Sequence, residues 1–177
     1  MKFDANKLAR LKRPSYFSGQ LLTADDFRAE QEYHVQARWQ HNRMLHGYGI
    51  VVGLEVGVQE NDAGSTQVFV APGFALDGWG REIVLTESVS IYLPGDRHDL
   101  TLFVKYVETR DDDEKSIAPA QHNAPVVESA QVTFEPSSSE RGIAPTTRAD
   151  YAIPIARLRR PHQQWQRDKN FRPPRAK

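Results

Sequence analysis

The residues of this 177-residue chain that could do chemistry are its six histidines and two carboxylate groupings. His34 and His41 stand seven apart in a stretch free of Gly and Pro. On a helix that spacing is two turns, so the imidazoles share a face but sit about 10 Å apart along the axis. One metal ion cannot bridge that gap, and His46, five residues further on, does not close it. No HExxH pattern occurs, and packing is the reading these histidines favour over metal binding. Asp111-Asp112-Asp113-Glu114 lacks the spaced oxygens and the Gly of an EF-hand loop, so it reads as a solvated acidic run. Asp77 and Glu82 flank Gly78-Trp79-Gly80, and a carboxylate pair can serve as a glycosidase acid and base. Two acids beside a tight turn are also ordinary hairpin decoration. Gly47, Gly49 and Gly53 have the spacing GxGxxxG. A dinucleotide loop follows a strand and opens a helix, whereas here a helix precedes and a strand follows. No GxSxG, P-loop or Ser-His-Asp order is present. The absence of cysteine removes disulfides, thiolate metal sites and cysteine nucleophiles. The expectation is a non-enzyme with no catalytic residue, no metal and no cofactor.

These residues must be held by a small set of elements. Segment 13–22 reads as extended or turned, because Pro14 drives Arg13 out of the α region and Ser18-Gly19 marks a turn. Thr23 is a good N-cap, and Asp25 and Asp26 place negative charge on the first-turn amides. The spacing predicts one long helix over 24–46, closed by Gly47 in the left-handed conformation. Phe27, His34, His41 and Tyr48 recur every seven residues, a narrow stripe suited to a sheet or another subunit. From Ile50 the pattern alternates every second residue. It predicts strands at 50–58, 67–70, 74–77, 81–85, 89–93, 100–108, 126–134 and 151–158, with Pro154 marking an edge. Loops are expected at Asn61–Ser65, 109–124 and 136–147. The fold class is mainly β: an antiparallel sandwich or barrel of seven or eight strands behind one N-terminal helix.

Charge divides the chain further. Its 23 Lys and Arg balance 23 Asp and Glu, yet residues 1–13 carry +4, 14–156 carry −11 and 157–177 carry +7. The organisation predicted is a basic arm at 1–13 (Lys7, Arg10, Lys12 and Arg13 among it), a domain at 14–158, and an extended tail at 159–177. The tail region interleaves Arg157, Arg159, Arg160, Arg167, Lys169, Arg172 and Arg175 with Trp165 and Phe171. Bases and aromatics together can grip phosphates and stack nucleobases. The acidic body repels a polyanion, so a protein partner is favoured, with Trp165 and Phe171 as anchors in its groove. No apolar run approaches the ~18 residues of a membrane span, and the N-terminus lacks the apolar core of a signal peptide. The expected setting is the cytoplasm.

Three blocks carry a family likeness. The first runs Arg13 through Phe27 and includes Tyr16, Phe17, Gly19, Gln20, Leu21, Leu22 and Asp26. It continues through Gln31, Tyr33 and His34 to His41-Asn42-Arg43-Met44-Leu45-His46-Gly47-Tyr48-Gly49, ending at Gly53-Leu54. The second, Val68 to Leu85, includes Pro72, Gly73, Asp77, Gly80, Arg81 and Glu82, and the third is Tyr151 to Leu158. Together they resemble a family of small structural proteins of phage tails and phage-tail-like contractile injection systems. That family's pattern is YFxGQLLTxxDF, EQxYH, then HNRxLHGxGVVxGL. The opening phrase is also distantly similar to the start of a type VI secretion baseplate protein with a phage-receptor-binding-protein-like shoulder domain.

The likeness implies a structural particle component at the baseplate periphery, a fibre attachment or the cap end. It implies partners among baseplate, sheath, tube or fibre proteins, and a homo-oligomer or several copies on a symmetric ring. Assembly in the cytoplasm would precede life in a particle that can be released. The basic tail departs from the shared pattern. In a scaffold, Tyr16, Phe17, Leu21 and Leu22 would pack the leading segment against the helix. Gln20, Asn42 and Arg43 would satisfy backbone groups where helix meets sheet, and Asp77 would pair with Arg81. Two other functions fit the composition: a carbohydrate- or receptor-binding module stacking sugars on Trp79, Tyr92 and Trp165, and a nucleic-acid-binding protein using the tail.

Overall fold

A computed structural model describes residues 10–60, 65–110, 125–137 and 152–177. The expected loop at Asn61–Gly64, the acidic run Asp111–Glu114, most of the 136–147 loop and Lys7 lie outside them.

Helix α1 spans Ala24–Leu45, 22 residues and about 33 Å. Its start is a capping box. The Asp26 amide donates to Thr23 Oγ1 at 3.4 Å, and the Thr23 amide donates to the Asp26 carboxylate at 2.8 Å. Two otherwise orphaned donors are thereby satisfied. The bond from the Thr23 amide foremost, and then one from the Thr23 hydroxyl to the same carboxylate at 2.7 Å, hold the Asp26 carboxyl below the usual carboxylate range. The helix ends where the His46 amide donates to Asn42 O at 2.9 Å and Gly47 turns left-handed at φ 72°.

Ten strands follow among the described residues: β1 (Gly49–Gly53), β2 (Val56–Glu60), β3 (Thr66–Val70), β4 (Gly73–Leu76), β5 (Glu82–Leu85), β6 (Val89–Tyr92), β7 (Asp99–Arg110), β8 (Val126–Pro136), β9 (Ile153–Arg159) and β10 (Gln166–Arg167). They form three antiparallel sheets ordered β1-β4-β5, β2-β3-β6 and β10-β9-β7-β8, and none closes into a barrel. All three sheets contribute to one apolar core, which holds Ile50, Val68, Ile83, Leu102 and Ile155.

The single strand expected at 50–58 is two. Gly53 and Leu54 both take positive φ, 68° and 60°, and throw the chain from one sheet into another. An alternating apolar pattern continues through such a crossing, so it hides the break. Pro154 was expected on an edge, yet β9 lies between β10 and β7. The proline is accommodated because β10 pairs only with Leu158 and Arg159. The β7–β9 register also shifts at Leu102/Phe103, level with Pro154.

The largest correction concerns the tail. Residues 159–177 belong to the fold rather than extending from it. A 3-10 turn at Pro161–Gln163 leads to Trp165, which is 6% exposed and part of the core. β10 then pairs with β9, and the Asp168 amide donates to Arg157 O at 2.8 Å. Arg175 bridges Ile50 in parallel. The Ile50 amide donates to Pro174 O, and the Ala176 and Lys177 amides donate to Ile50 O and His46 O. A Cβ on Gly49 would fall 2.5 Å from the Pro174 carbonyl carbon, so only glycine admits this close passage. The domain therefore includes the segment assigned to a tail.

Candidate interaction site

The motif residues gather at two places. One is the joint where the C-terminal end of α1 meets the turn after β4. Asn42, the one buried residue of the helix, donates from Nδ2 to Gly80 O and to Glu82 Oε1, both at 3.0 Å. Arg43 donates to Trp79 O at 3.2 Å, and Arg38 lies 3.9 Å from Glu82 and 3.6 Å from Glu128. Gly80 sits at φ 88° beneath the Trp39 carbonyl, where any Cβ would overlap it. Asp77, fully buried, accepts the Trp79 amide at 2.8 Å, the Arg81 amide at 2.9 Å and Arg81 Nε at 2.5 Å. The Arg81 guanidinium then lies 4.9 Å from the Tyr106 ring centroid. Burial, with Glu108 and Glu128 alongside, pushes the Tyr106 phenol far above its ordinary range.

Every carboxylate in this joint is thus engaged in holding backbone or guanidinium. Asp77 is sealed from water and Glu82 is half-buried, its carboxylate accepting Asn42 Nδ2, so in this arrangement the two acids brace the joint. Gly49, Gly53, Leu54, Pro72 and Gly73 form the neighbouring crossing. Gly53 pairs with Gly73, and the Leu54 amide donates to Pro72 O at 3.2 Å.

The second place is the N-terminal half of α1 with the segment leading into it. Tyr16 reaches the helix, its hydroxyl donating to Glu30 Oε2 at 3.0 Å. Gln20 accepts the Phe17 amide inside its own turn, which Gly19 closes at φ 87°, and it does not reach the sheet. Phe17 is 72% exposed, Leu21 86% and Phe27 57%, with Leu22 also exposed. Phe17 and Leu21 therefore do not pack against the helix as expected, since the turn at Gly19 directs them outward. Gln31, His34, His41 and Leu45 are exposed, and Tyr33 is half-buried. His34 Nε2 lies 3.0 Å from Glu30, and the His41 ring lies 5.7 Å from that of His46. The seven-residue stripe faces solvent, while the face carrying Asn42, about 100° round the helix from His41, meets the sheet. Among the described residues no group of three or more His, Asp or Glu could hold a metal ion.

Of the predicted docking residues, Arg10, Lys12 and Arg13 are exposed. Arg159 pairs with Asp168 at 3.2 Å and Asp99 at 3.8 Å, and Arg160 sits 6.0 Å from the Trp165 ring centroid. Burial takes Trp165 away from any partner groove or stacked sugar. No local signal in the sequence marks this burial, because the run of unlike residues around Trp165 is basic and polar. It has no period to read.

No family of known proteins matches the chain in sequence, and no curated protein matches it either. Solved structures do match in fold. The chain is similar to one in the type VI secretion system TssK-TssF-TssG baseplate subcomplex seen by cryo-electron microscopy, with TM-score 0.57 and 17% identity. That match covers 93% of this chain and 62% of the other. A chain of the baseplate complex from the type VI secretion system gives TM-score 0.56, 17% identity and coverage of 94% and 60%. The crystal structure of TssK gives 0.55, 9% and coverage of 92% and 42%. This chain spans less than two thirds of each, and what they share with it is the fold. No described helix is long and apolar enough to cross a membrane.

Proposed function

We propose that this chain is a structural, non-enzymatic subunit of a phage-tail-like contractile injection particle, seated at the baseplate periphery or a fibre attachment. The observation that carries this reading is the bare apolar surface on the leading segment and first half of α1, where Phe17, Leu21, Leu22 and Phe27 stand in water. Large apolar side chains left exposed together along one short segment mark a partner-binding face. Its place on a fold found in type VI baseplate assemblies supports a neighbouring subunit as the partner. The joint at Asn42, Gly80 and Asp77 would hold the helix at a fixed angle so that this face is presented identically in every copy.

The test uses the tagged full chain expressed with its neighbouring genes. Wild type should sediment with sheath and tube proteins, and a Leu21→Asp/Phe27→Asp variant with unchanged circular dichroism should not. Normal incorporation of that variant, or no sedimentation of wild type with sheath, rejects the reading.

A further inference from the structure

The sheet β1-β4-β5 is apolar on both faces. Its inner row pairs Ile50 with Ala75 and Ala75 with Ile83, all buried in the core. The adjacent outer row pairs Val52 with Phe74 and Phe74 with Val84. An antiparallel sheet with one wet face places polar side chains there. Here Val52 is 61% exposed, Val84 47%, and Phe74 half-buried. The irregular pairing within β1 leaves Val51 exposed beside them. Helix α1 covers only one end of this face. Asn42 and Arg38 reach Glu82, and Leu76, paired with Glu82, is buried. The row at Phe74 lies about 7 Å further along the strands and is left open.

The second bare surface is the hook formed by residues 16–22. The Tyr16 hydroxyl lies 3.0 Å from Glu30 Oε2 and 3.4 Å from Asp26 O, which ties the hook to the first turns of α1. From Glu30 to Asn42 is about 18 Å along the helix axis. Phe17, Leu21 and Leu22 are thereby held away from the sheet, and hook and face both stay bare within one chain.

The charges flanking the two surfaces are opposite. Arg10, Lys12 and Arg13 lead into the hook, are exposed, and pair with no carboxylate among the described residues. Glu55 and Glu87 stand just past the ends of β1 and β5, at the open end of the face. Both are exposed and pair with no base among the described residues.

We propose that the hook of one copy seats on the outer face of β1-β4-β5 in the next. Phe17, Leu21 and Leu22 cover Val52, Phe74 and Val84, and the bases before the hook meet Glu55 and Glu87. A second copy fits better than an unlike subunit, because one chain supplies both surfaces in equal number with matching flanking charge. A closed set of copies therefore leaves neither surface over. The inference rests on the reading of the leading segment as a partner face and names its partner.

The chain has no cysteine, so introduced thiols report this contact alone. Full-length Leu21→Cys and Val84→Cys chains, mixed in equal amounts and treated with a short bismaleimide, should give a cross-linked dimer that neither gives by itself. Sedimentation velocity of wild type should show concentration-dependent association. Val84→Asp should weaken it at least about tenfold, since it buries an unpaired carboxylate. Monomeric wild type, unchanged association of Val84→Asp, no cross-link in the mixture, or Leu21→Cys cross-linking to itself as readily as to Val84→Cys overturns the proposal. A chain that is monomeric alone yet sediments with sheath overturns this contact and leaves the particle reading standing. An intact cross-link without sedimentation with sheath does the reverse.

Discussion

Asp77 shows how one side chain can fix a joint. It is sealed from water, and its two oxygens take two backbone amides and the Arg81 guanidinium. Those amides belong to the turn that carries Gly80 under α1, so the carboxylate sets the platform on which Asn42 rests. Asp77→Asn keeps the volume but removes the charge and aims a donor at a donor. Removing one partner of a buried ion pair costs about 3–5 kcal/mol. Because Arg81 retains some exposure, a loss of about 2–4 kcal/mol is expected, read as a lower urea midpoint at unchanged slope. The pairing of Asp77 with Arg81 could be read from the sequence because both flank a two-glycine turn. The role of Asn42 could not be, since its partners lie 38 and 40 residues away.

The elements divide sharply in how plainly the sequence declares them. Helix α1 is legible from Thr23, Asp26 and a long stretch without Gly or Pro, because capping and propensity are local. Strands β3 to β8 are legible for the same reason: alternation and turn residues act over a few positions. The last segment is the opposite case. Its order comes from Trp165 entering a core built by distant strands, and from backbone bonds to β1 at the other end of the chain. Charge and proline content alone suggested an extended tail. The structure assigns the two halves of this segment different weights. Trp165→Ala opens a cavity in the core and should cost about 3–5 kcal/mol. Deleting 174–177 removes three backbone bonds worth about 0.5–1.5 kcal/mol each, partly regained from water. Guanidinium denaturation of both variants should rank them in that order, and equal or reversed losses would show that Trp165 is not part of the core.

At the scale of the molecule, three sheets share one core while α1 touches it only near its C-terminal end. A shared core makes unfolding cooperative, whereas an element with few buried contacts opens on its own. Hydrogen exchange on the full chain should therefore show β3, β7 and β9 opening at the global free energy and residues 24–36 of α1 opening well below it. Uniform protection along the helix would mean that its first half is covered in the isolated chain. The balanced net charge takes on a different meaning here, since the surplus of base at 157–177 is folded against the sheet through β10 instead of being carried on a free arm. The pairing of Arg175 with Ile50 has a consequence for synthesis. While the chain is being made, β1 emerges early and its outer edge stays bare until 174–177 clear the ribosome. The hole meant for Trp165 stays open nearly as long. A nascent chain stalled before that point holds most of its strands but neither closure, so prematurely released products should be targets for chaperones and proteases rather than partly working subunits.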